Sequence, residues 1–511
     1  MYGRGGSNVW NKLKNFFKRG GYSLTKPYLN TLNDHEKINI DPDELKRIER
    51  NVNEYQGTNP KVTYKNIYGD LVERDYMNMN LRKLTADVLS GLIFNEQCEI
   101  EIGTKEQPQK EANEFIQHVF EHNRFKKNLA DYLEPMLALG GLAVRPYVND
   151  NEEIEFSWAI ANAFYPLRSN SNGISEGVMK SVTQMVKGES ITYYTLLEFH
   201  EWEDNQYIIS NELYESKNKN EIGQRVPLSD LYEDLEEETI IENLSRPLFN
   251  YLKPSGYNNL SAHSPLGLGL VDNARSTVKK INDTYDQFWW EVRMGQRTVL
   301  VSDKMLRAVP NERGEIPKQV FDPDVNVFKA MRMGMDEEVV KDVTSDIRTE
   351  QYTSAINQSL RTLEMELKLS VGTFSFDGRS VKTATEIVSE NDLTFRTRND
   401  HVYEVEQFIK GLIVSTLELA QAYDLFSGEI PTFEEIGVDF DDGVFQDRNA
   451  LMNFYGKAAT FKFMPTVEII QRLWKVPEEV AKEWVEQIQE ENMLPITLQE
   501  EQEFDLFGDD E

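Results

Sequence analysis

The residues best suited to chemistry in this chain are few, and their spacing argues against each familiar use of them. His200-Glu201 opens like the helix of a zinc protease, but position 204 is Asp and the second histidine is missing. Asp439-x-Asp441-Asp442-Gly443 resembles the first half of a calcium loop, yet its twelfth position is Ala450, where a bidentate Glu belongs. The same carboxylates, Asp439, Asp441 and Asp442, are the kind of cluster a magnesium-dependent nuclease would use. Six scattered histidines supply no spaced triad, and no G-x-x-x-x-G-K-[ST] run is present to cradle a nucleotide. Gly267-x-Gly269 precedes a helix but follows no predicted strand, so it reads as a turn into that helix rather than a dinucleotide site. Cys98, the single cysteine, excludes an intrachain disulfide and a thiolate zinc site and fits a reducing compartment. These residues predict no catalytic group, no metal and no cofactor, which is the profile of a structural or assembly protein.

The charge points the same way. The formal net charge is −32 at pH 7, the wrong sign for a module that grips DNA through its phosphates. With 511 residues there is room for about three domains of roughly 150 residues. The 40 % apolar content suits globular folding, and no window approaches the roughly 18 to 20 apolar residues of a membrane span. Residues 1–40 begin with a basic amphipathic arm: Arg4, Lys12, Lys14, Lys18, Arg19 and Lys26 are met by no acid in the first thirty positions.

The elements that must position any site alternate in period along the chain. From about 42 to 142 the pattern is helical, opened by Asp41-Pro42-Asp43-Glu44 and closed by Gly140-Gly141. Ala143 to Val148, Ile154 to Ile160, Gly177 to Val186, Ile191 to Trp202 and Gln206 to Glu215 then read as the strands of one antiparallel meander. The acidic run at 230–242 reads as a solvated loop or helix face. Val271, Ala274, Val278, Ile281, Tyr285, Phe288 and Val292 step by three and four for three heptads, a seam that requires a partner helix. Tyr352, Ile356, Leu360, Leu363 and Leu367 form a matching stripe. Between them, Arg297 to Ser302 and Val325 to Met331 look like strands of a small tip, so a helical hairpin with a compact domain at its far end is implied. Glycines bracket the loop from Gly372 to Gly378, a helix of roughly forty residues is expected from Val381 to Tyr423, and Trp474 and Trp484 read as core anchors of a helical end. The fold class expected is α+β, mainly helical.

This order of parts resembles the portal proteins of tailed bacteriophages, in particular those of siphophages of Gram-positive hosts such as Staphylococcus. The resemblance rests on Met136-Leu-Ala-Leu-Gly-Gly-Leu-Ala-Val-Arg-Pro-Tyr147, Phe164-Tyr-Pro166, Tyr193 through His200 with Tyr207-Ile-Ile, Pro247-Leu-Phe-Asn-Tyr251 and Ser264-Pro-Leu-Gly267. It continues with the run from Tyr285 through Phe288 and Glu291 to Arg297-Thr-Val-Leu-Val301. It implies a ring, usually of about twelve subunits, around a DNA channel at one capsid vertex, the closed head-to-tail symmetry such assemblies use. By resemblance, 41–264 and 383–449 form the wing, 265–296 and 346–371 the stem, 297–345 the clip and 450–511 the crown.

The same resemblance makes 372–382 a tunnel loop, with Thr373, Phe374, Ser375, Phe376, Asp377, Arg379 and Lys382 at the channel. It makes the clip residues Lys304, Arg307, Asn311, Glu312, Arg313 and Glu315 the docking surface for the terminase large subunit and then the head-tail connector, and the 271–292 seam a ring contact. Implied partners are double-stranded DNA without sequence specificity, other copies of the chain, and the major capsid and scaffold proteins, with no membrane. The implied setting is the virion, after assembly in the host cytoplasm. Two other classes compete: a cytoplasmic coiled-coil adaptor that binds a foreign helix on the seam, and the nuclease.

Overall fold

The computed structural model describes residues 28–65, 69–94, 98–103, 109–188, 190–295, 299–302, 328–331, 340–342, 346–375, 392–440, 448–474 and 478–493. It divides into two compact units, residues 1–376 with 396–441, and residues 377–395 with 442–511. In chain order the elements begin β1 (Tyr28–Leu29), α1 (Pro42–Tyr55), β2 (Lys61–Lys65), β3 (Leu71–Asp75), α2 (Leu81–Ile93), β4 (Glu99–Ile102), α3 (Lys110–His122) and α4 (Phe125–Leu139). The strands β5 (Leu142–Val148), β6 (Ile154–Ile160), β7 (Phe164–Asn170), β8 (Gly173–Lys187), β9 (Ser190–Glu203), β10 (Gln206–Ser216), β11 (Gly223–Val226), β12 (Glu238–Ile241) and β13 (Asn250–Leu252) follow. Then come α5 (Arg275–Met294), β14 (Val299–Ser302), β15 (Phe328–Met331), β16 (Val340–Asp342), α6 (Thr349–Glu366), α7 (Asp392–Ala422), β17 (Ile436–Asp439), α8 (Arg448–Thr460), α9 (Thr466–Trp474) and α10 (Glu478–Met493).

The helices form where the sequence supplies both a stripe and a stop. The Asp41 carboxylate accepts the Asp43 amide at 2.9 Å, with Pro42 at the first helical position, so α1 starts as its capping residues dictate. In α4, Leu129, Leu133, Met136 and Leu137 are all buried on one face. Gly140 ends that helix in the left-handed region, at φ 100°. A Cβ there would stand 2.6 Å from the Gly267 carbonyl, so Gly140 lets the 267–269 backbone press against the end of α4, while Gly141 leaves room for the Tyr251 side chain. The largest core gathers α2, α3, α4 and α7 against β5 and β6, with Leu133, Ile409, Leu412 and Ile413 among its fully buried side chains.

Several expectations are corrected. The strands from 142 to 216 are not one meander: β5 and β6 join β13 in a separate three-stranded sheet, while β7 to β10 form the meander of the seven-stranded sheet. The stretch 42–142 is not wholly helical, since β2 and β3 make a hairpin and β4 pairs with the distant β17, Ile436 facing Ile102. The acidic run is partly a strand: Ile241 is buried against the sheet and β12 pairs with β10. The long helix is described only from Asp392; its thirty-one residues span about 46 Å at 1.5 Å per residue, and residues 376–391 lie outside the described residues. In the second unit α9 packs on α8 and α10 through Ile469, Ile470, Ala458 and Ala481. Trp474 and Trp484 are not its core anchors, being 56 % and 37 % exposed. The fold is mixed, with helices set apart from predominantly antiparallel sheets.

Candidate functional site

The candidate site is the antiparallel pair α5 and α6 with what lies at its two ends. Ala274, Ile281, Leu360 and Leu363 are buried together with Leu81, and Val278, Ile356, Leu367 and Phe374 pack around them. At one end Thr277 Oγ1 donates to Glu366 at 3.0 Å; at the other the Arg348 guanidinium donates to both carboxylate oxygens of Glu291, at 3.1 and 2.6 Å. Those hydrogen bonds from Arg348 hold the Glu291 carboxyl down at about 2. Phe288 and Tyr352 close the gap between the helices with ring centroids 5.3 Å apart.

The heptad seam therefore finds its partner helix within the chain. Val271 and Ala274 lie before the helix proper, and Val271, Ala274 and Ile281 are buried. Burial fades along the helix through Tyr285 and Phe288 to Val292, 44 % exposed. With its wide end already filled by α6, the seam offers little to the foreign helix of an adaptor.

The hairpin β2/β3 clasps α5 from the side. Arg74 donates to both oxygens of Asp286 at 2.6 Å, which holds the Asp286 carboxyl below its usual range. The Met77 amide donates to the same carboxylate at 2.9 Å, Tyr76 Oη to Asp283 at 2.7 Å, and the Met79 amide to Asn282 at 3.1 Å. Trp290 stacks beneath Arg74 and edge-on to Tyr64. The signal was present in the alternation of Lys61-Val-Thr-Tyr-Lys65 and Leu71-Val-Glu-Arg-Asp75, whose Val62, Tyr64, Val72 and Arg74 are the half-buried positions.

At its root the pair is tied to α1 and α2 by a buried charge cluster that no motif announced. Asp272 accepts from Arg47 at 2.9 Å, Arg82 at 3.0 Å, Asn51 at 3.0 Å and the Gly269 amide at 2.9 Å. Arg47 is paired again with Glu44, and Arg82 donates to the Ala138 carbonyl at 2.8 Å. Every charge in the cluster is thus matched, the condition under which buried ions are tolerated.

The second helix ends in a Schellman turn. The Leu369 amide reaches the Glu364 carbonyl at 2.8 Å and the Lys368 amide the Met365 carbonyl at 3.1 Å, with Lys368 in the left-handed region at φ 55°. The chain then folds back onto the Glu364 side chain. Its two buried oxygens accept from the Phe374 amide at 2.5 Å, the Ser375 amide at 2.7 Å, Ser375 Oγ at 2.9 Å and the Gly372 amide at 3.2 Å. Thr373, Phe374 and Ser375 are consequently the anchored base of the loop: Thr373 Oγ1 donates to the Ser370 carbonyl at 2.6 Å and Phe374 packs on the core. Phe376, Asp377, Arg379 and Lys382 lie outside the described residues. Glu364 was missed because an acid beside an apolar stripe gives no local sign of the backbone it will meet.

Beyond the far end of the pair, β14 runs parallel to β15 and antiparallel to β16 in a small sheet. Lys304, Arg307, Asn311, Glu312, Arg313 and Glu315 lie outside the described residues.

The residues first considered for chemistry fall elsewhere. His200 is buried in β9 with both ring nitrogens engaged: Nε2–H donates to Glu198 at 2.7 Å and Nδ1 accepts from Tyr207 Oη at 2.9 Å. Burial lowers the pKa of His200; Glu198 is held at about 2 against its own burial, by Arg145 and by the hydrogen bond from His200. Asp439 ends β17, and Asp441 and Asp442 lie outside the described residues. Among the described residues no three His, Cys, Asp or Glu side chains are grouped to hold a metal, and no helix is long and apolar enough to cross a membrane.

Residues 34–493 match the family described as phage portal protein, SPP1 Gp6-like. No curated protein matches the chain. Proteins of that family are structural parts of the phage capsid. With a match that spans nearly the whole sequence, the chain belongs to the SPP1 Gp6-like family of phage portal proteins.

Proposed function

We propose that copies of this chain close into a ring, of twelve subunits in the capsid, that surrounds a DNA channel at one capsid vertex, for genome packaging and ejection. The observation that carries this reading is the α5/α6 pair, which bears a small sheet at one end and the Glu364-anchored loop at the other. In this reading α5 and α6 are the stem and 297–345 the clip, which docks the terminase large subunit and later the head-tail connector. The loop beyond Ser375 faces the channel, 41–264 and 383–449 form the wing, and 450–511 the crown against capsid and scaffold proteins. Energy for packaging comes from the terminase, and the ring contributes no catalysis.

The net charge of −32 suits a channel. Many cationic contacts would hold DNA with an affinity that only high salt relieves, whereas an acidic wall keeps it centred within a Debye length of about 8 Å. Readout of sequence is not expected, because translocation needs contacts that tolerate every base pair. Negative-stain images of the purified protein test the reading. The expected result is a closed ring with a central hole wide enough for a duplex, and a monomer at all concentrations overturns it.

A further inference from the structure

Besides the outer edges of its terminal strands β1 and β7, the seven-stranded sheet leaves two edges open that face opposite ways. On one side β8 pairs with β7 only as far as Met179, opposite Phe164, and the Lys180 amide still reaches the Ala163 carbonyl at 2.8 Å. From Ser181 to Lys187 it pairs with β9 alone, and no described strand lies on its other side. Strand alternation then identifies the groups left over. With the Lys180 amide directed to the β7 side, Val182, Gln184 and Val186 aim their N–H and C=O groups the same way. On the opposite side of the sheet β12 pairs with β10 through one edge only. The Glu237 carbonyl accepts the Asn211 amide at 2.9 Å, so Glu237, Thr239 and Ile241 face β10 while Glu238 and Ile240 face outward.

Proteins that leave an edge unused blunt it with lysine, proline or a bulge. Here the stretch between Lys180 and Lys187 holds no charge and no proline. Val182 and Val186 stand 53 % and 62 % exposed, with the exposed Ile191 opposite Val186. The β12 edge, by contrast, is acidic. Glu233, Asp234, Glu236, Glu237 and Glu238 are exposed with no ion pair among the described residues, while Lys187, Lys217 and Lys219 are exposed at the end of the sheet where β8 runs free.

We propose that the free edge of β8, Ser181 to Lys187, takes β12 of the next copy of this chain, so that the sheet continues from subunit to subunit. The inference rests on the ring reading above and adds the surface that joins neighbours. An open edge on each of two opposite sides of a single sheet is what head-to-tail closure requires, and main-chain bonds of an added strand supply the affinity. The two edges are displaced along the strands. Gln184 is level with Tyr193 and Ser216, whereas Thr239 is level with Ile209, a separation of about 23 Å at roughly 3.3 Å per residue. The joined strands therefore tilt, as they do in any closed barrel.

The full-length chain tests this with cysteine pairs: Glu238→Cys combined in turn with Val182→Cys, Gln184→Cys or Val186→Cys. Cys98 is buried, so the parent chain is the background control. Under mild oxidation at least one pair is expected to give a ladder of covalent oligomers on a non-reducing gel, while each single variant stops at a dimer. Gln184→Pro removes an outward N–H without touching the β9 ladder, and is expected to lose rings while keeping its circular dichroism and melting transition. Rings that persist in Gln184→Pro, together with no ladder from any pair, overturn the edge pairing and leave the ring standing. A parent chain that forms no ring overturns the ring reading itself, and this inference with it.

Discussion

Replacing Glu364 by alanine should free the loop that follows α6 while leaving the helix formed. The carboxylate holds two backbone amides, of Phe374 and Ser375, at 2.5 and 2.7 Å, in a site closed to water. A hydrogen bond to a charged acceptor is worth about 1.5 kcal/mol at the low end, so losing both lowers the cost of opening the loop by about 3 kcal/mol. At about 1.4 kcal/mol per tenfold, that is roughly a 150-fold faster exchange of these two amides. Hydrogen exchange read at single residues measures it directly. Glu364→Gln, which keeps one carbonyl acceptor, should fall between, and amides on the Leu360 and Leu363 turn should change far less. If the Phe374 and Ser375 amides of Glu364→Ala exchange within about threefold of the parent rate, the carboxylate is not what holds the loop, and the reasoning fails.

Other consequences follow from single contacts. Lys368 occupies a left-handed position at φ 55°, so Lys368→Gly should raise stability by about 1 kcal/mol in urea unfolding. His401 is buried, accepts the Ser255 amide on Nδ1 at 3.0 Å, and is pushed by burial down to about 4. Its contribution is complete above pH 6.5 and is lost as pH falls toward 4, so between pH 7 and 5 it removes about 2 kcal/mol that His401→Gln should not lose. Arg74→Ala leaves the largely buried Asp286 without its guanidinium and should cost about 2 kcal/mol, with faster exchange of the Met77 and Met79 amides. On the proposed reading, Arg307→Glu with Arg313→Glu should impair terminase or connector docking and spare rings, as rim charges do. Unchanged packaging and tail joining would remove the clip from that role.

Much of this protein was legible in the amino-acid sequence because it is local. The heptad from Val271 to Val292, the stripe from Tyr352 to Leu367, the cap at Asp41 and the stop at Gly140 each depend on neighbours a few residues away, and α5, α6, α1 and α4 appear where they say. The helical pair followed because two apolar stripes separated by a polar insertion have one economical way to hide from water. What only the tertiary structure decided is non-local. Nothing near Ile102 says that its strand partner is Ile436, or near Ala143 that Tyr251 will pair with it and split the meander in two. A strand presents the same alternation to any partner, so pairing is settled by burial of the whole sheet rather than by the strand itself. The acids divide on the same ground: Asp272 and Glu364 look like the many exposed carboxylates of an acidic chain. Their places are set by two arginines from α1 and α2 and by a backbone turn eight to eleven residues downstream, which come within reach only once the core has closed.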